Sequence, residues 1–166
     1  MDKSEKREKK LAITALTAAI VMLSIILFSS IFYIRSSRPL RQAKAEATQL
    51  AQEYVDMEEI DSFYWFTREE TYFTVFGKDA DSQELIAVIP QSGEQITVLN
   101  QNEGISEADV KSIIRSEYPD EEIEKVSFGL FDNQAVWEVM TSGASGNNYY
   151  LVTFKEGEII KVIENI

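Results

Sequence analysis

The chain has 166 residues, 16 Lys and Arg against 28 Asp and Glu, and neither Cys nor His. Disulfides, thiolate metal centres, thiol nucleophiles and Cys-linked lipid are therefore excluded, as are Ser-His-Asp catalysis, His-ligated zinc and a His pH switch. A net charge of −12 argues against nucleic acid, because phosphate binding needs an excess of Lys and Arg.

Residues 1–10 form a short tail carrying Lys3, Lys6, Arg7, Lys9 and Lys10. Residues 11–34 hold no charge, and Thr14, Thr17, Ser24, Ser29 and Ser30 are their only hydroxyl-bearing polar residues apart from Tyr33. As a helix this stretch is about 36 Å long, enough for a hydrocarbon core of about 30 Å. A cleaved signal peptide has an apolar region of about 7–15 residues and a small-x-small site, which Ser29 and Ser30 supply poorly. The reading is an uncleaved transmembrane signal-anchor, in contact with lipid over residues 11–34. Five basic residues before it and four after it (Arg35, Arg38, Arg41 and Lys44) slightly favour the N-terminus inside. The layout of tail, anchor and large C-terminal part places that part outside the cytoplasm, at the cell membrane. Residues 35–39 read as a juxtamembrane linker, with Pro39 opening the next helix.

A first unit follows over residues 40–100. Its helix is expected from Leu40 to about Glu58, with Ala47, Leu50, Ala51 and Tyr54 on one side. Strands are expected at Phe63–Phe66, Tyr72–Phe76, Leu85–Ile89 and Gln95–Leu99. Residues 101–105 read as a linker. A second unit, residues 106–166, opens with the N-cap Ser106 and its partner Asp109 ahead of Val110, Ile113, Ile114 and Tyr118, and Pro119 closes that helix. Its strands are expected at Val126–Phe131, Ala135–Met140, Tyr149–Phe154 and Ile159–Ile163. Short connections imply antiparallel meanders.

The two units align at a constant shift of 64. Glu53-Tyr54 falls on Glu117-Tyr118, Phe73 on Trp137, Leu85–Val88 on Tyr149–Val152, and Gly93-Glu94 on Gly157-Glu158. The fold class is α+β: an N-terminal transmembrane helix, then two tandem units, each one helix on an antiparallel sheet of three to four strands. Units of about 60 residues are marginal alone, so the two are expected to pack on each other.

The candidate chemistry is thin. Ser145 in Gly143–Asn147 lacks the second Gly of a nucleophile elbow and reads as a hairpin loop. Asp79–Glu84 resembles a calcium loop without its Gly and reads as a turn, with weak divalent-cation binding as the alternative. Asp120, Glu121, Glu122 and Glu124, like Glu58, Glu59 and Asp61, read as solvated loop. In Phe63-Tyr64-Trp65-Phe66, alternation puts Phe63 and Trp65 on one face and Tyr64 and Phe66 on the other. One pair is core, and the other needs cover from the helix, the second unit or a partner. Tyr149-Tyr150 poses the same question. Tyr64, Trp65, Phe66, Tyr149 and Tyr150 are therefore the candidate partner-binding residues; no catalytic, cofactor-binding or metal-binding residue is assigned.

The Ser106–Asp109 helix start, the Glu117-Tyr118-Pro119 helix end, the Val136–Val139 strand and the final hairpin Phe154–Ile160 resemble a PepSY domain. The whole chain looks like the TseB (YpmB-like) family of Firmicutes, which combines a basic tail, one anchor and two cystatin-like PepSY units. That resemblance implies a non-enzymatic, Gram-positive regulator of cell-wall elongation that contacts a class B penicillin-binding protein. It needs no cofactor. PepSY units more broadly imply restraint of a peptidase, and a carboxylate-based glycan hydrolase is the rival class. The charge is distributed unevenly: residues 1–10 carry +2, residues 35–44 add +4, and residues 45–166 hold −18. The body's targets are thus expected to be basic patches or cations.

Overall fold

The computed structural model describes residues 3–144 and 146–164; Ser145 and its loop reading lie outside them. Helix α1 runs Lys3–Val55. Its stretch Lys10–Ser30 has a mean hydropathy of 2.6 and none of it is buried, which fits a membrane anchor or a signal sequence. The hydroxyls of Thr14, Thr17 and Ser24 donate to the carbonyls four residues back at 2.8–2.9 Å, so none needs water. Pro39 lies inside the helix and does not open a new one, so residues 35–39 are helical rather than a break. The sequence after it, rich in Ala, Gln, Glu, Lys and Arg, carries the helix past the lost N–H. The helix stops earlier than about Glu58, because Asp56 adopts a positive φ of 54° and strand pairing begins at Met57.

The compact body spans Ala43–Ile166. Its first sheet is a meander of β1 (Met57–Thr67), β2 (Thr71–Asp79), β3 (Glu84–Pro90) and β4 (Thr97–Asn100). A 3₁₀ turn, Gln101–Glu103, leads to α2 (Glu107–Glu117). The second sheet is β5 (Glu122–Phe131), β6 (Gln134–Gly143), β7 (Gly146–Thr153) and β8 (Ile159–Ile163), in the same order. All pairings are antiparallel. The α+β class and the one-helix, one-sheet units therefore hold. Ser106 and Asp109 form a reciprocal capping box at the start of α2.

The repeat is not gapless. Phe73 and Trp137 occupy equivalent places, 64 apart, but Trp65 faces Phe73 whereas Phe128 faces Trp137, which sets β1 and β5 63 apart. Likewise Ile89 pairs with Phe73 and Val152 with Trp137, again 63 apart. At 63 the bulges coincide, Asp61 with Glu124. So do the buried helix faces, Ala47 and Ala51 with Val110 and Ile114. Tyr54, aligned with Tyr118 by the shift of 64, is 66% exposed, and Val55 takes the equivalent place. A one-residue slip inverts which face a strand side chain occupies.

Each face of the first sheet is covered. The alanine face of α1 packs with Val75, Ala87, Ile89, Phe63 and Phe73. The opposite face carries Phe76, Ile86 and Val88 into one cluster with Val110, Ile114, Phe128, Trp137, Val139, Tyr150, Val152 and Phe154. Phe76 meets Phe128 edge-on at 5.2 Å and Trp137 at 5.5 Å, and the Thr74 hydroxyl donates to the Phe128 carbonyl at 2.8 Å. The two repeats thus share one aromatic core.

Candidate functional site

The five aromatic candidates occupy distinct environments. Phe66 is fully buried against Val136 and Leu151 of the second sheet. Tyr150 is fully buried as well: its ring lies 4.3 Å from Tyr118 and its hydroxyl reaches both oxygens of Glu121 at 2.8–2.9 Å. Neither offers surface to a partner: Tyr150 lies in the shared aromatic core, and Phe66 is sealed against the opposite face of the second sheet. Tyr64 is half-buried, edge-on to Phe76 and Trp137, and donates to Glu107 at the start of α2. Burial, and then its hydrogen bond to the Glu107 carboxylate, push its phenol well above the ordinary value.

Trp65 and Tyr149 come together across the repeats. They line one open cleft of about 410 Å³ with Thr67, Arg68, Lys125 and Glu138. Trp65 lies on the face that α1 covers further along, stands edge-on to Phe73 at 5.1 Å and donates its indole N–H to Thr67 at 3.1 Å. The tip between β1 and β2 carries Arg68 over the Tyr149 ring, 4.5 Å from its centroid, and into an ion pair with Glu138. Ser127 also donates to Glu138, at 3.1 Å. Aromatic faces beside two cations can stack on a planar or apolar group while holding an acidic one. Sequence reasoning missed Arg68, Lys125 and Glu138, since only the crossing of the hairpin over the second sheet joins them.

The acidic run after α2 also reads differently in three dimensions. Glu121 is not a solvated loop residue: Thr141, Asn148 and Tyr150 all donate to it. Burial pulls its pKa up, but these three hydrogen bonds outweigh that and hold it below the usual range. Glu122 and Glu124 are strand residues, Glu124 accepting from Ser142 at 2.7 Å, and Glu58, Glu59 and Asp61 belong to β1 rather than to a loop. In Asp79–Glu84 the Asp79 carboxylate accepts the backbone N–H groups of Asp81 and Gln83, as in a turn. Among the described residues no group of three or more Asp and Glu is placed to hold a metal ion.

Comparison with known proteins agrees with this architecture. A family described as "Cell wall elongation regulator TseB-like domain" matches residues 46–90, and one described as "Peptidase propeptide and YPEB domain" (PepSY) matches residues 104–163. The solved structure of the YpmB protein from Bacillus subtilis superimposes with a TM-score of 0.62 at 27% identity, over 72% of this chain and 94% of that one. A second solved chain, from Clostridium difficile 630, is 14% identical with a TM-score of 0.40, over 72% of this chain and 91% of that one. No curated protein sequence matches. With a TseB-like first repeat, a PepSY second repeat and the YpmB fold over both, the chain is a TseB/YpmB-like protein of the PepSY family.

Proposed function

We propose that this chain is a membrane-tethered regulator of cell-wall elongation that works by docking on a class B penicillin-binding protein at the outer face of the membrane. The TseB-like match over residues 46–90 carries this reading. The apolar stretch Lys10–Ser30 supports the tether, and the tether raises the body's effective concentration at other membrane proteins. The cleft of Trp65, Arg68, Lys125 and Tyr149 is the proposed docking face. A glycan hydrolase needs a carboxylic acid kept protonated, and the lowered pKa of Glu121 weighs against its serving as one.

The test is a photo-crosslinking amino acid at position 65 or 149 of the full-length chain in living cells. Capture of a penicillin-binding protein at both positions supports the reading; capture at neither removes it. Carbonate extraction should leave the chain in the membrane pellet, and protease added to intact protoplasts should remove the body. The PepSY match over residues 104–163 favours a second reading, restraint of a membrane-proximal peptidase, for which a peptidase is the protein captured.

A further inference from the structure

A second cavity, of about 340 Å³, opens between the first sheet and the start of α2. Its inner wall is aromatic, formed by Tyr64 with Phe76, Trp137 and Phe154 behind it. Its lining includes four carboxylates, Asp61, Glu84, Glu107 and Asp109, and no basic residue. Two ammonium groups stand close by. Lys78 lies 3.8 Å from Glu84, and Lys111 pairs with Glu107. Asp109 is engaged by neutral Ser106, so two of the four negative charges have no cationic partner among the described residues, those of Asp61 and Asp109. The bulge in β1 falls at Asp61, leaving it exposed beside half-buried Ser62. Amide side chains of Gln101 and Asn102 complete the lining.

We infer that this cavity receives a lysine or arginine side chain from a basic segment of a partner protein, its apolar stem against Tyr64 and Ile105 and its charge drawn by Asp61 and Asp109. The charge complementarity is local and global, since residues 45–166 carry −18. A bare metal ion would gain nothing from an aromatic wall, whereas a long side chain with a charged end uses both the wall and the carboxylates. The inference rests on the reading of the body as a docking module, and adds a second contact chemically opposite to the Trp65 cleft.

The experiment uses the full-length chain in zwitterionic nanodiscs and two labelled peptides, one alternating Leu and Lys and one alternating Leu and Glu, read by fluorescence anisotropy. The Lys peptide is expected to bind, and Asp61→Lys to weaken it at least tenfold, with Asp61→Asn intermediate. Glu156→Lys, an exposed charge change outside the cavity, should leave binding within twofold of the parent chain. No binding of the Lys peptide, equal binding of the Glu peptide, or equal loss in Asp61→Lys and Glu156→Lys overturns the inference. In cells, a photo-crosslinker at position 62 should join to a Lys- or Arg-bearing segment of the protein captured at position 65. Capture at 65 without capture at 62 overturns the cavity and leaves the docking module standing; capture at neither position overturns both.

Discussion

Glu138 is a carboxylate on the outer face of the second sheet, with its side chain only 9% exposed. Arg68, 70 residues away in the chain, answers its charge, and Ser127 adds a hydrogen bond. Removing the cation strands the anion, which costs more than the pair itself contributes. Arg68→Met is expected to lower stability by about 2 kcal/mol in urea denaturation, the partial exposure of both groups keeping it below the 3–5 kcal/mol of a fully buried pair. The double variant Arg68→Met/Glu138→Met should recover most of that loss. Glu121 gives a pH signature. Its folded pKa lies below the unfolded carboxylate value of about 4.3, so its contribution is full above that value and disappears as pH falls through the folded one. Tyr150→Phe removes one donor, and the stability of that variant should fall less steeply with acid below about pH 4. In sequence Glu121 sits in an acidic run and reads as solvated. Its donors at 141, 148 and 150 are supplied by strands 20–29 residues further on, which local pattern cannot show.

At the scale of elements, the strands, their antiparallel order and the α2 capping box were legible because each rests on local rules of alternation, turn residues and N-cap chemistry. The slip of the repeat from 64 to 63 was not. A gapless alignment rewards coincidences such as Tyr54 on Tyr118, whereas the register is decided by which face is buried, and Tyr54 is not. The same blindness hid the role of Gly129. It is buried in β5, and a Cβ there would come within 2.5 Å of the Phe66 ring, so only glycine lets the first repeat's hairpin lie across the second sheet. Gly129→Ala should cost about 2 kcal/mol, within the usual range for overpacking, and Gly129→Ala/Phe66→Leu should cost less than the sum of the two single changes. Thermal unfolding of the three variants would check this.

At the scale of the whole body, the aromatic cluster of Tyr64, Phe76, Phe128 and Trp137 belongs to neither repeat alone. The body should therefore unfold in a single cooperative transition, coincident by far-UV circular dichroism and by Trp fluorescence. A chain ending at residue 100 should give no sharp transition and poorly dispersed amide resonances, because its sheet would expose Phe76, Ile86 and Val88 to water. Two separate transitions, or a well-dispersed first repeat, would contradict the shared core. The sequence suggested that the units pack on each other, since each is too small to stand alone. It did not reveal that the contact runs through the same residues that fill the α2 side of the second sheet.

That shared core has a consequence in time. The chain is made from its N-terminus, and Phe76 is polymerised 61 residues before Trp137. At about 5–20 residues per second, the first repeat waits about 3–12 s, its Phe76, Ile86 and Val88 still unburied, for the residues that complete its core. During that interval these apolar residues have no internal partner, which makes the nascent chain prone to aggregation. Slow elongation through residues 77–137 would lengthen the exposure, and the yield of native protein should depend on the pace of synthesis there more than anywhere else in the chain.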